Sequence, residues 1–172
     1  DIANGESFYQ EKMPEVIKEM KKKKVAAEGE GGSLIVELPS LPPAMLVKSD
    51  GSSTYFTRDM ATVKYRGENP NLACDLYVYE VGAEQSLHFR QVFAAAEKMG
   101  WGKKEDFVHV AHGLVLGNDG KKMSTRKGTA ESMEDLLKKM IERAGKINKE
   151  SAKQVGVGAV VFNDLKHSPQ TS

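Results

Sequence analysis

One stretch limits what this chain can fold into more than any other. An apolar run over 107–116 has the length and valine content of a buried strand. It is stopped by Gly117-Asn118-Asp119-Gly120, a turn cluster that frees the backbone. Four cations follow, Lys121, Lys122, Arg126 and Lys127, with Ser124 and Thr125 among them and Gly128 behind. Ser132 then opens an amphipathic helix. A strand, a cationic glycine-bounded loop and a capped helix form a unit of α/β architecture. Its loop can close over a polyphosphate with charge, hydroxyls and backbone N–H groups together. A run of charges can equally be a solvated surface loop. The Walker phosphate loop is excluded, because Val115 stands where its first glycine is required and Lys122 where Ser or Thr must follow Gly120-Lys121.

The remaining pattern supports alternation of strands and helices. The spacing of Phe8, Met13, Val16, Ile17 and Met20 predicts a helix over 14–24 with Pro14 in its first turn. Its cationic end, Lys21 to Lys24, suits the helix dipole and reads as solvated. A strand is expected over 34–38, broken at 39–43 by prolines, with another over 44–48. Ser49-Asp50-Gly51-Ser52 reads as a hairpin turn returning through a strand over 54–57. A short helix over 58–66 and a strand over 76–81 come next, the latter rich in residues of high β-propensity. Helices are then expected over 86–99, capped by Ser86 and ended by Gly100, and over 132–144, where Ser132 and Asp135 suggest a capping box. A last helix is expected over 151–165. Strand–helix alternation from 54 onward predicts βαβ units and a parallel sheet, whose ligands bind beyond the carboxyl ends of the strands.

Composition removes several classes. Lys and Arg number 25 against 24 Asp and Glu, so no global basic field marks the chain as a nucleic-acid binder. The single cysteine, Cys74, excludes an internal disulfide and fits a reducing, cytoplasmic setting. No apolar run reaches the length of a membrane span, and there is no signal-peptide pattern. Asp1 in place of Met, and an end, Pro169-Gln170-Thr171-Ser172, whose sequence gives no terminating element, lead us to expect a piece of a longer protein.

Two further loops carry candidate chemistry. In Tyr55-Phe56-Thr57-Arg58-Asp59, a phenol and a carboxylate can hold a planar cation, since a guanidinium offers a fork of donors that fits a carboxylate. Alternatively Asp59 serves only the dipole of a helix start. In 82–91, Gln85 and His88 lie near a helix N-terminus beside a strand end, or simply face water on a capped helix.

Lys122-Met123-Ser124-Thr125-Arg126 resembles the Lys-Met-Ser-Lys-Ser signature of class I aminoacyl-tRNA synthetases, with Thr125 in place of the second lysine. Extended to Gly128, it is similar to the arginyl-tRNA synthetase form. Gly5-Glu6-Ser7-Phe8-Tyr9, Thr57-Arg58-Asp59, the segment Gln85 to Gln91, Gly113 to Gly117 and Gly156 to Val160 resemble the same family, in the same order, over nearly the whole chain.

The resemblance implies an α/β fold: the C-terminal half of a Rossmann-like parallel-sheet catalytic domain with an inserted helix–hairpin element. It divides the chain into residues 1–53, the insertion, and 54–172, the later half of the catalytic domain. It implies that Tyr55 and Asp59 hold the arginine side chain and that Gln85 lies near its α-amino group. It places His88 and Gln91 near the ATP ribose and the backbone of Leu114, Val115 and Leu116 along adenine. Lys122, Met123, Ser124 and Arg126 fall at the phosphates, with Lys122 and Arg126 catalytic. The implied activity is ATP-dependent activation of arginine and transfer to the 3′ end of tRNA(Arg), with Mg²⁺ sharing the phosphate charge and no protein metal site. The His-x-Gly-His half and the anticodon-binding domain are expected elsewhere in a parent chain, and the isolated piece is expected to be inactive. His109-Val110-Ala111-His112 looks like that other signature but lies within a strand, where its histidines point to opposite faces. Two alternatives stay open: a non-catalytic nucleotide- or anion-binding module, and a class I synthetase for another amino acid. Asp59 speaks for a cationic side chain against the second.

Overall fold

Pro14 falls where a helix needs no backbone N–H, and the first regular helix starts there. In the computed structural model the described residues are 2–113, 132–166 and 168. A 3₁₀ segment, Glu6–Lys12, leads into α1 (Met13–Lys22), which buries Met13, Val16 and Met20. Three antiparallel strands follow, β1 (Ala26–Glu28), β2 (Leu34–Leu38) and β3 (Leu41–Val47), in spatial order β1-β2-β3. Ala26 pairs with Val36, and Ile35 with Met45. Pro42 and Pro43 lie inside β3, where the sequence predicted a break. β3 is the last strand of its sheet, and its register with β2 shifts between Val36 and Leu38, so the missing proline N–H groups cost the ladder little.

The expected strand over 54–57 is instead the start of α2 (Tyr55–Glu68), which is also longer than the predicted helix over 58–66. Tyr55, Phe56 and Thr57 have strand propensity, but Thr54 caps a helix. The Thr57 N–H donates to the Thr54 hydroxyl at 3.4 Å, and the Thr54 N–H to the Thr57 hydroxyl at 3.3 Å. The reciprocal box fixes the helix start and overrides a weak local preference. Only Ser53 remains as a bridge, to Val47.

β4 (Tyr77–Gly82), α3 (Ser86–Met99) and β5 (Phe107–His112) form one βαβ unit, with β4 and β5 paired in a parallel sheet. Gln85 occupies the N-cap position expected for Ser86, and its side chain makes no capping bond. Gly100, at φ 73°, closes α3 in the left-handed conformation that glycine adopts without strain. The expected end of β5 at 114–116 lies outside the described residues.

Contacts divide the chain into two units, Asp1–Tyr79 with Glu84–His109, and Glu80–Ala83 with Val110–Ser172. The first holds the apolar core, in which Val16, Met20, Val36, Leu46, Met60, Val92 and Met99 are almost fully buried. The second contains α4 (Met133–Gly145) and α5 (Ala152–Leu165), packed on each other. Ser132 caps α4 by accepting from the Asp135 N–H at 3.1 Å, as expected. The Asp135 carboxylate bonds the Ser132 hydroxyl at 2.7 Å, so the capping box is one-sided. Gly156 lets the helices approach: a Cβ there would lie 2.7 Å from the Ile141 backbone.

Candidate functional site

The site in the first unit is built on the start of α2. Thr54 donates its hydroxyl to the Met45 carbonyl at 2.6 Å, and Thr57 donates its own to the carbonyl of Leu46. These bonds pin the helix start to β3. Tyr55 and Asp59, four residues apart, therefore share one helical face, one turn from each other. Tyr55 is 67% exposed, and the Asp59 side chain retains 31% of its surface.

From α3, His88 reaches across to Asp59, with Nε2 2.6 Å from Oδ2. Its ring stands edge-on to Phe89, which is buried against Tyr79 and Phe93. The resemblance assigned His88 and Asp59 to different substrates; the fold brings them together. Gln91, one turn further on, donates its side-chain amide to the Pro42 carbonyl at 2.9 Å and ties α3 to β3. Gln85 is exposed at the cap of α3. Leu114, Val115, Leu116, Lys122, Met123, Ser124 and Arg126 lie outside the described residues.

Two neighbours escaped the sequence reading. The Arg58 guanidinium lies over the Tyr55 ring at 5.0 Å and donates to Glu6 at 2.8 Å. The spacing of Tyr55 and Arg58, three apart on a helix, was the available signal. Tyr79 is only 8% exposed, and its hydroxyl has no hydrogen-bond partner among the described residues. Burial pushes its phenol up, Arg66 beside the ring opposes this, and the Asp59 charge adds to the rise.

His109 and His112 lie on alternate faces of β5. His109 is half-buried against the Phe89 ring at 5.1 Å, and His112 is exposed with Nδ1 2.9 Å from the Gly113 carbonyl. Among the described residues no three His, Cys, Asp or Glu side chains converge on a metal position. No helix among them is long and apolar enough to cross a membrane.

Known proteins agree with this architecture. Residues 1–171 match the family described as tRNA synthetases class I (R), catalytic domain. The arginine–tRNA ligase of Halothermothrix orenii is 44% identical across 98% of this chain, and that of an Exiguobacterium species 42% identical across 95%. The chain spans 31% of the length of each, about a third. Among solved structures, the arginyl-tRNA synthetase of Plasmodium falciparum superposes with a TM-score of 0.78 at 25% identity, over 98% of this chain and 30% of that one. The Thermus thermophilus arginyl-tRNA synthetase shares the fold, with a TM-score of 0.74 at 22% identity over 92% of this chain and 34% of that one. With the βαβ unit, the parallel strand pair and a family match over almost every residue, the chain belongs to the class I tRNA synthetase (R) catalytic-domain family.

Proposed function

We propose that this chain is the arginine- and ATP-handling segment of a cytoplasmic arginine–tRNA ligase. The observation that carries the reading is the Tyr55–Asp59 face of α2, a phenol and a half-exposed carboxylate one turn apart in a chain over 40% identical to arginine–tRNA ligases. A carboxylate matches the donor fork of a guanidinium, and an aromatic face accepts its plane. Gln85 at the start of α3 takes the α-amino group, and Gln91 lies toward the ATP ribose. The backbone of Leu114, Val115 and Leu116 lines adenine, and Met123 and Ser124 stand at the phosphates. Residues 1–53 form an insertion in this reading, and residues 54–172 the later half of the catalytic domain.

In the reaction the arginine carboxylate attacks the α-phosphorus of ATP, the bond to the bridging oxygen breaks, and pyrophosphate leaves with that electron pair. The adenylate then passes arginine to a hydroxyl at the 3′ end of tRNA(Arg). Positioning and charge stabilisation supply most of the acceleration. Lys122 and Arg126 face the charge that grows on the departing pyrophosphate. Mg²⁺ enters with the ATP phosphates; no described residue is assigned to it. The whole activity belongs to the full-length ligase.

The test is Asp59→Asn in that ligase, with arginine and ATP varied separately. Loss of the carboxylate leaves guanidinium donors unpaired, about 2–5 kcal/mol, and raises the arginine requirement far more than the ATP requirement. Equal effects on both substrates would assign Asp59 to the fold.

A further inference from the structure

We infer that His88 is a positioning residue for Asp59, one that fixes the carboxylate in the orientation that receives a guanidinium; this rests on the assignment of Asp59 to the arginine side chain. The 2.6 Å separation of His88 Nε2 and Asp59 Oδ2 is that of a short, charge-assisted hydrogen bond. Both side chains are partly buried, at 23% and 31% exposure, so water competes weakly for the bond. His88 is the third residue of α3, so the first turn of that helix carries the imidazole to Asp59.

The geometry is held from both sides. Thr54 and Thr57 fasten α2 to the carbonyls of Met45 and Leu46, and Gln91 fastens α3 to that of Pro42. All three carbonyls lie on β3, so one strand sets the separation of the two helices that carry the pair. The His88 ring is in turn set edge-on to Phe89, its centroid 5.2 Å away. Oδ2 keeps a second lone pair beside its bond to the imidazole, so the carboxylate held in this orientation presents both oxygens to a guanidinium fork next to the Tyr55 ring. The imidazole has a second nitrogen, Nδ1, so the bond to Asp59 does not by itself decide between arginine and ribose; varying the two substrates separately does.

The experiment compares the full-length ligase with Asp59→Asn, His88→Ala, the double variant and His88→Gln. Each is assayed for aminoacylation with arginine and ATP varied separately, after thermal unfolding has shown it folded. His88→Ala raises the KM for arginine roughly 10-fold or more, the cost of a lost hydrogen bond to a charged group. Its kcat and its KM for ATP stay within about 2-fold of the parent values, because no contact made only in the transition state is removed. His88→Gln, whose amide still donates, recovers part of the loss. In the Asp59→Asn background, His88→Ala adds less than about 2-fold, since the partner is already altered. A rise in the KM for ATP in place of that for arginine would overturn the inference, as would full additivity of the two substitutions. If Asp59→Asn raises the KM for arginine and His88→Ala does not, the positioning role alone fails. If Asp59→Asn leaves it unchanged, the arginine assignment of Asp59 fails and takes the role of His88 with it.

Discussion

The α1–α2 region and the α4–α5 pair begin from the same kind of sequence and end differently. α1 and α4 are both amphipathic, with apolar residues at helical spacing. α1 and α2 bury Val16, Met20 and Met60 beneath a three-stranded sheet and α3. Among the described residues of α4 and α5, only Gly156 is fully buried, while Met133, Val155, Val161, Phe162 and Leu165 stay open. Apolar spacing thus identifies a helical face but not how much surface will cover it. In the first region side chains fill the interface; in the second a glycine lets two backbones touch.

That difference predicts unequal responses to truncation. Met60→Ala removes a side chain with no exposed surface and lowers stability by about 2–5 kcal/mol in denaturant titrations. Phe162→Ala removes a larger side chain that is 69% exposed, and costs less than about 1 kcal/mol. Similar losses at both sites would erase the contrast.

The helix pair answers to its glycines. Gly156→Ala puts a Cβ 2.7 Å from the Ile141 backbone, which cannot rotate away as a side chain would. The helices must separate, at a cost of about 1–3 kcal/mol. Gly158→Ala meets nothing within 4 Å and stabilises the helix by up to about 1 kcal/mol through propensity. Opposite signs two residues apart, read by chemical denaturation, would confirm that backbone contact governs this interface.

The first region also has an electrostatic seam. Lys64 lies 2.6 Å from Glu15 and 2.9 Å from Glu19, and Lys23 lies 3.1 Å from Glu19. Burial opposes the charge on Lys64, but Glu15 and Glu19 win and hold its ammonium above the ordinary lysine range. Burial likewise pushes Glu19 up, and Lys64 and Lys23 outweigh it and hold the carboxyl low. A lowered carboxyl stabilises the fold above its unfolded pKa and loses that contribution as pH falls through the folded value. A raised ammonium stabilises below its unfolded pKa and loses it as pH rises through the folded value. The seam is therefore at full strength between about pH 5 and pH 10. Lys64→Met costs about 1–2 kcal/mol within that window, discounted because Glu15 and Glu68 are largely exposed. The gap between variant and parent narrows toward acid, as thermal unfolding across pH will show.

Local signals made most of the helices legible: Pro14, Ser132 and Gly100 mark ends that the structure keeps. β1 was not legible, because Ala26, Ala27 and Glu28 have no strand pattern and are ordered only by pairing with β2. The strand expected at 54–57 was misread because propensity is weaker than a reciprocal threonine cap tied to β3. Tyr55 and Asp59 stood out by chemistry, a phenol and a carboxylate close in sequence, whereas their place on one helical face follows from the Thr54 cap. The bond from Asp59 to His88 joins residues 29 apart and depends on where α3 lands, which no local pattern encodes.

The central claim is that Asp59 reads the charge of an arginine side chain. Citrulline has nearly the same shape as arginine but a neutral urea in place of the guanidinium. The decisive measurement is the ratio of kcat/KM for arginine to the inhibitory strength of citrulline, in the full-length ligase and in Asp59→Asn. The account predicts that the ratio falls by roughly 30-fold or more in the variant, the discrimination a lost charge pair supports. An unchanged ratio would contradict it.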